Sequence, residues 1–174
     1  MADLRHLPQI PGARTGKTGS SAPDHQAMRL WLRMCTCSTL IENELRSRMR
    51  TEFGSTLPRF DMMSHLFQEP EGIKMTELSR RMMVTNGNVT GITDHLEKQG
   101  IVKRVKVATD RRSSIIQLTD KGRATFVKMA RAHEQWLSNL FEGLHEASRQ
   151  SLFDSLGELK FLTASQLSGK VGPP

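Results

Sequence analysis

Two short stretches of this sequence carry side chains suited to hydrogen bonding with a nucleic acid. The first is a segment with apolar residues at helical spacing, whose outward side is expected to carry four short polar residues: Asn86, Asn88, Thr90 and Thr93. An asparagine side chain can pair with adenine through one donor and one acceptor, and hydroxyl groups can bond to phosphate oxygens. The sequence leaves two interpretations, namely base readout, or helix capping and phosphate contact without base readout.

The second stretch is the polar run Asp110-Arg111-Arg112, which lies between two β-prone segments. The first segment, 101–107, alternates apolar and basic residues, and the second is 114–118, so the pattern predicts a basic hairpin with a turn at 108–113. Flanking basic residues are further candidates for phosphate contacts or for a solvated surface: Lys74, Arg80, Arg81, Lys103 and Arg104.

The distribution of charge supports a polyanionic partner. The chain has a formal net charge of +7, and residues 74–123 hold eleven Lys and Arg against five Asp and Glu. The flanking segments are balanced, with six against six in 27–73 and five against five in 124–174. Positive charge confined to one segment indicates nucleic-acid binding more strongly than the same charge spread over a surface.

Helical periodicity and turn signals predict the elements that present these residues. A flexible arm at 1–24 is followed by a long helix from about Asp24 to Gly54, and a second helix starts at Leu57-Pro58. A small strand is predicted at 73–75. It precedes a helix at 77–83 capped by Thr76.

The next predicted helix carries the polar face described above. Thr85 is its expected N-cap, and Gly100 is expected to close it after about Gln99. After the hairpin, Thr119 is expected to cap another long helix, and leucines at steps of three and four predict a final helix.

Several function classes are disfavoured by what the sequence lacks. No run of about 18 apolar residues predicts a membrane span, and no signal peptide is evident, so a cytoplasmic protein is expected. Cys35 and Cys37 are the only cysteines, too few for a structural zinc site. Without a Gly-rich phosphate loop, a Ser-His-Asp pattern or metal-ligand spacing, neither an enzyme nor a cofactor is expected.

The order of these elements and the spacing of several motifs resemble the MarR family of bacterial transcriptional regulators. The motifs that carry the resemblance are Glu77-Leu78 with Met82, Val89-Thr90 with Asp94, Leu96, Glu97 and Gly100, Val102 with Arg104, Asp110-Arg111-Arg112, and Leu118-Thr119-Asp120-Lys121-Gly122. The resemblance implies a mainly α fold (α+β), a winged helix-turn-helix with N- and C-terminal dimerisation helices. The implied organisation is an arm at 1–24, a MarR-type domain at 25–165 with its winged lobe at 57–118 and dimerisation helices at 25–53 and 119–165, and a tail at 166–174.

The resemblance also implies a function, that of a homodimer that binds a palindromic operator in double-stranded DNA and is released by a ligand. It implies that Arg112 enters the minor groove and that Asp110 holds it by a salt bridge, since a narrow minor groove favours arginine. This sequence departs from commoner members at Gly91, where a basic residue is frequent. Gly87 and Gly91 are expected to allow close approach of a backbone, either from DNA or from a neighbouring helix.

The runs at 57–63 and 82–84 resemble MarR members of aromatic-acid catabolism, which implies a small aromatic carboxylate or an aromatic acyl-CoA as effector. Candidate effector-binding residues are Trp31, Met34, Arg46, Arg50, Met62, Met63 and His65. The alternative is ordinary core for the apolar residues and surface for the arginines. Two other interpretations are redox sensing by Cys35, which lies on an apolar stripe and is expected to be buried, and a nonspecific architectural DNA binder.

Overall fold

The computed structural model describes residues 25–107 and 110–168, and side chains for all of these except 106–113 and 168. The elements in chain order are α1 (Gln26–Phe53), α2 (Leu57–Gln68), β1 (Ile73–Lys74), α3 (Met75–Arg81), α4 (Asn86–Lys98), β2 (Val102–Val107), β3 (Asp110–Leu118), α5 (Asp120–Phe141) and α6 (Glu146–Ser168). Asp24, the expected start of the first helix, lies outside the described residues.

The chain separates into two compact units, residues 1–38 and 39–174. In the first unit, the described residues belong to α1 and expose large apolar side chains, including Met28 and Trp31. The second unit contains the hydrophobic core. Its most deeply buried residues include Met62, Met63 and Leu66 of α2, so this helix lies at the centre of the unit.

The sheet is antiparallel throughout, with the strand order β1-β3-β2. Ile73 pairs with Ile116, and Val102 pairs with Leu118 on the other side of β3. The register shifts between Lys106 and Val107, so that Val107 pairs with Asp110. β3 begins at Asp110, four residues before the predicted strand at 114–118. The irregular register lets the backbone of residues 110–113 join the strand, so the predicted strand is too short.

The predicted cap of α3 is wrong by two residues. Lys74, not Thr76, occupies the N-cap, and no side-chain hydrogen bond caps this helix. Lys74 pairs with Ile115 and is extended, with φ −65° and ψ 145°, so the chain turns into the helix directly after β1. The sequence pattern missed this because a tertiary strand pairing sets the boundary.

The predicted N-caps of α4 and α5 and the predicted end of α4 are confirmed, whereas α3 ends at Arg81 rather than at Met83. Thr85 Oγ1 accepts a hydrogen bond from Asn88 N at 3.4 Å, and Thr119 Oγ1 accepts one from Gly122 N at 3.0 Å. Gly100 follows α4 with φ +68°, a left-handed conformation that favours glycine.

The start of α5 packs closely against Gly100 and Ile101, the residues just before β2. Thr119 N donates to Ile101 O at 3.0 Å, and Thr119 Oγ1 donates to Gly100 O at 2.7 Å. Gly122 is buried there, and a Cβ atom on it would overlap the carbonyl oxygen of Ile101. The backbones of α5 and the hairpin therefore meet at a distance that only glycine allows.

Within the described residues, no helix combines the length and apolar character needed to cross a membrane. The same residues contain no group of three or more His, Cys, Asp or Glu side chains placed to hold a metal ion.

Candidate nucleic-acid interface

Helix α4 presents a polar face because its apolar residues point into the core. Val89 and Leu96 are buried, whereas Asn86, Asn88 and Thr90 are exposed. Thr90 Oγ1 donates to Asn86 O at 2.9 Å, which occupies its proton but leaves its oxygen able to accept. The predicted exposure of these three polar residues agrees with the structure.

Thr93 does not belong to this face, and its predicted outward position is wrong. The residue has no exposed surface, and its hydroxyl donates to Val89 O at 2.8 Å and lies 3.7 Å from Met62 Sδ. Position 93 follows Val89 by four residues, so both lie on the buried side of α4. A threonine can occupy that side because the preceding turn satisfies its hydroxyl.

Gly87 and Gly91 leave open space on the outer surface of α4. A Cβ atom on Gly91 would meet nothing within 4 Å, and one on Gly87 would meet only Thr85 Oγ1 at 4.0 Å. Packing against a neighbouring helix of the described chain therefore does not require either glycine. Of the two expected explanations for these residues, approach by an outside partner is the one consistent with the structure.

Arg104 connects the hairpin to the C-terminal half of α4. Its guanidinium forms ion pairs with Asp94 and Glu97, and its backbone N donates to Glu97 Oε1 at 3.3 Å. The hydrogen bond to Asp94 and the charges of both carboxylates raise the pKa of Arg104. The structure thus places Arg104 as a clamp between β2 and α4 rather than as an unpaired cation available to a phosphate. Sequence reasoning missed this role of its two acidic partners.

Arg80 and Arg81 are also neutralised within the lobe. Arg80 donates to Glu77 from Nη2 at 2.6 Å, and Arg81 donates to Glu77 at 2.8 Å and to Glu69 at 3.0 Å. The hydrogen bonds from Arg80 and then Arg81 lower the pKa of Glu77 to about 2. Arg80 and Arg81 are therefore paired with carboxylates of the protein and are not unpaired cations available to a phosphate.

Lys74 and Lys103 keep their charge available. Both are exposed, and among the described residues neither has an ion pair. The side chains of Asp110, Arg111 and Arg112 lie outside the described part of the chain, so their predicted contacts stay a prediction. Their backbone places them in β3, at the end of the hairpin distant from Leu118.

The effector candidates are not all available to a ligand. Met62 and Met63 are 0% and 1% exposed, so the structure places them in the core, which agrees with the alternative interpretation of these residues. Arg46 is exposed and pairs with Glu42 at 3.5 Å, Arg50 is exposed, and His65 is partly buried.

Two further candidates, Trp31 and Met34, lie in the first unit, where Trp31 is 60% exposed and Met34 is partly buried. Cys35 in the same helix is a free thiol with part of its surface exposed, so its expected burial is wrong for the single chain. Cys37 is a free, exposed thiol.

Packing between α2 and α5 shifts the pKa values of Asp61 and His133. Partial burial raises the pKa of Asp61, opposed by the charges of His65 and His133. Burial lowers the pKa of His133, whose ring stacks on Phe60 with centroids 4.7 Å apart. A neutral imidazole at neutral pH follows for His133.

Comparison with known proteins identifies the fold and the family. Residues 55–114 match the MarR family. A MarR family transcriptional regulator from Silicibacter pomeroyi has a crystal structure with a TM-score of 0.68 and 31% sequence identity, covering 84% of this chain and 99% of that one. The chain belongs to the MarR family. The predicted fold class, a mainly helical winged helix-turn-helix with a small sheet, is confirmed.

Other MarR-type relatives extend over most of the chain. The HTH-type transcriptional repressor YetL of Bacillus subtilis is 25% identical over 158 residues, or 90% of this chain and 94% of YetL. CouR from Rhodococcus jostii RHA1, crystallised with p-coumaroyl-CoA, shares the fold with a TM-score of 0.64 at 17% identity, covering 76% of this chain and 91% of CouR. The MarR relatives are transcriptional regulators, which agrees with the prediction that this protein is not an enzyme.

Proposed function

We propose that this MarR protein is a DNA-binding repressor that recognises a palindromic operator as a homodimer. The observation that carries the proposal is the exposed polar face of α4, capped by Thr85 and clamped to the hairpin by Arg104. A helix held in this way, beside a basic hairpin, suits the major groove while the hairpin reaches the backbone or the minor groove. The name of YetL, a transcriptional repressor, supports the sign of regulation.

Exposed apolar surface supports the homodimer. Helix α6 has large apolar side chains that are 42–74% exposed, including Phe153, Leu156 and Phe161, and α1 exposes Trp31 and Leu40. Monomeric proteins rarely expose so much apolar surface on two elements, and a second copy is the partner that MarR proteins use. Sedimentation equilibrium at micromolar concentration should give twice the mass of the 19.6-kDa chain, and a monomer mass would contradict the proposal.

The Arg112 side chain is expected to contribute strongly to operator affinity. Arg112→Ala should weaken binding by roughly tenfold or more, because a guanidinium in a narrow minor groove meets concentrated negative potential. A gel-shift titration at fixed salt measures the change, with Arg131→Ala on the exposed side of α5 as control. Equal affinities of the Arg112→Ala variant and the wild type would refute this role.

Specificity distinguishes a regulator from an architectural DNA binder. A repressor should prefer its operator over a shuffled duplex by a factor of roughly 10³ or more at the same salt concentration. Similar affinity for both duplexes would favour the architectural alternative.

The proposed effector is a small aromatic carboxylate or its CoA thioester. It would act by population shift, binding better to a dimer whose two α4 helices are wrongly spaced for the operator. Support comes from the p-coumaroyl-CoA in the CouR structure. The exposed Arg46 or Arg50 could receive a carboxylate or phosphate, and the partly buried His65 could line the pocket.

Thermal-shift screening tests this effector class. Benzoates, cinnamates or their CoA thioesters at about 100 times Kd should stabilise the protein by about 2.7 kcal/mol. No shift across the panel would count against an aromatic effector. Release of DNA by peroxide, lost in Cys35→Ser, would instead favour redox sensing.

A further inference from the structure

A groove of about 420 Å³ runs between the N-terminus of α2 and the exposed side of α4. Thr56, Pro58 and Arg59 form one wall, and the other includes Gly87, Asn88, Gly91 and His95 of α4. The two walls come from segments about 30 positions apart, so the groove exists only in the folded lobe. It adjoins the polar face of α4 that carries Asn86 and Thr90.

Arg59 gives this groove an unpaired positive charge. Its side chain is partly buried, and among the described residues it has neither an ion pair nor a hydrogen bond. In the same lobe, Arg81 and Arg104 each contact two carboxylates. A partly buried arginine without a counter-charge in the lobe can bind an anion that comes from outside the chain.

Two other features of the groove, at Thr56 and at Gly91, suit an anionic group that is part of a larger molecule. Thr56 stands at the N-cap of α2, but its side chain makes no cap hydrogen bond. Its hydroxyl therefore lies unused at a helix end that favours negative charge. His95 also lines the groove, and its Nε2 is buried without a hydrogen-bond partner among the described residues. The space above Gly91 is open, which allows a close approach along α4.

We infer that this groove binds a phosphodiester of the DNA backbone, with Arg59 as the cation that holds it. A phosphate and a free carboxylate share the chemistry that Arg59 recognises. The DNA backbone is the source that the geometry favours, because the groove opens beside the face of α4 proposed to enter the major groove. The inference rests on the proposed DNA-binding function and adds a contact outside the helix-turn-helix and the hairpin, one that positions α4 without reading sequence.

The test measures how binding depends on salt. Fluorescence anisotropy would follow the full-length protein on two labelled duplexes of about 30 base pairs. One is selected for binding from a randomised pool, and the other is its shuffled counterpart. The variants are Arg59→Gln, Arg59→Lys and the matched control Arg131→Gln, which removes an exposed arginine of α5. Thermal melts establish that each variant is folded.

Arg59→Gln should weaken binding to both duplexes by roughly fivefold to tenfold near 0.1 M salt and lower the slope of log K against log salt by about 0.9 per bound lobe. Arg59→Lys should keep the slope, and Arg131→Gln should match the wild type. If the wild type binds DNA while Arg59→Gln behaves like Arg131→Gln, the inference is overturned and the proposed function stands. If selection from the pool yields no duplex that the wild type binds, the proposed function itself fails.

A separate arm distinguishes the DNA backbone from a free anion. Wild type and Arg59→Gln are melted with inorganic phosphate or sodium benzoate, each at millimolar concentration. Equal shifts for the two proteins, together with the altered salt slope, support the phosphodiester. An Arg59-dependent shift with an unchanged salt slope would assign the groove to a small anion and overturn the inference.

Discussion

Replacing Gly122 with alanine is expected to lower the free energy of unfolding by about 3 kcal/mol, near the upper end of the usual cost of inserting an atom into a packed site. The added Cβ would overlap the carbonyl oxygen of Ile101 and would lie 3.0 Å from its carbonyl carbon and 3.1 Å from Leu118 Cδ2. Two of these three neighbours are backbone atoms, which cannot rotate away as a flexible side chain can. The start of α5 must therefore move, and the hydrogen bonds of Thr119 to Gly100 and Ile101 must stretch.

Urea denaturation followed by circular dichroism measures this change. Gly91→Ala is the matched control, because Gly91 lies in a helix and its added Cβ would meet nothing within 4 Å. That control should gain up to about 1 kcal/mol from helix propensity. If Gly122→Ala were as stable as the wild type, the close approach of α5 to Ile101 would not be a constraint on the fold.

Loss of the Arg104 clamp is expected to reduce DNA affinity far more than stability. The three side chains are 28–49% exposed, so Arg104→Ala should cost about 1 kcal/mol of stability or less. The same substitution removes one positive charge and leaves Asp94 and Glu97 uncompensated on the helix proposed to enter the major groove. Repulsion between these carboxylates and the phosphates, together with a less constrained hairpin, should weaken binding by roughly tenfold to a hundredfold.

Neutralising the two acids separates repulsion from geometry. In the Arg104→Ala background, Asp94→Asn with Glu97→Gln should restore most of the affinity if repulsion dominates, and little if the clamp's main role is to position β2. The double substitution alone is the control, and anisotropy titrations at one salt concentration compare all four proteins. Wild-type DNA affinity in Arg104→Ala would contradict both explanations.

Features of the fold set by local sequence were predicted well. Thr85 and Thr119 cap their helices, and Gly100 ends α4, because these roles depend on side chains and backbone conformations within one or two turns. The start of α3 was missed, since the pairing of Lys74 with Ile115 ends β1 there. Pairings between distant segments leave little trace in local periodicity.

In the candidate site too, the features set by local sequence are predicted and those set by tertiary contacts are not. The apolar spacing of α4 predicts its polar face, but Thr93 lies on the buried side because it follows Val89 by one helical turn and its hydroxyl bonds to Val89 O. The count of basic residues located the charged segment without revealing that Arg104 is paired. Arg59 is not among the candidate site residues that the sequence predicts, since its place in the groove depends on the tertiary approach of α2 to α4.

The Gly122 junction has a mechanical consequence. Thr119, at the N-terminus of α5, is hydrogen-bonded to Gly100 and Ile101 just before β2, so α5 and the hairpin are joined at this point. A helix of 22 residues is about 33 Å long. A tilt of about 5° about the junction therefore moves its far end by about 3 Å, within the range of known allosteric shifts. A change in the orientation of α5 is therefore expected to reorient the hairpin, because the hydrogen bonds of Thr119 to Gly100 and Ile101 connect the two.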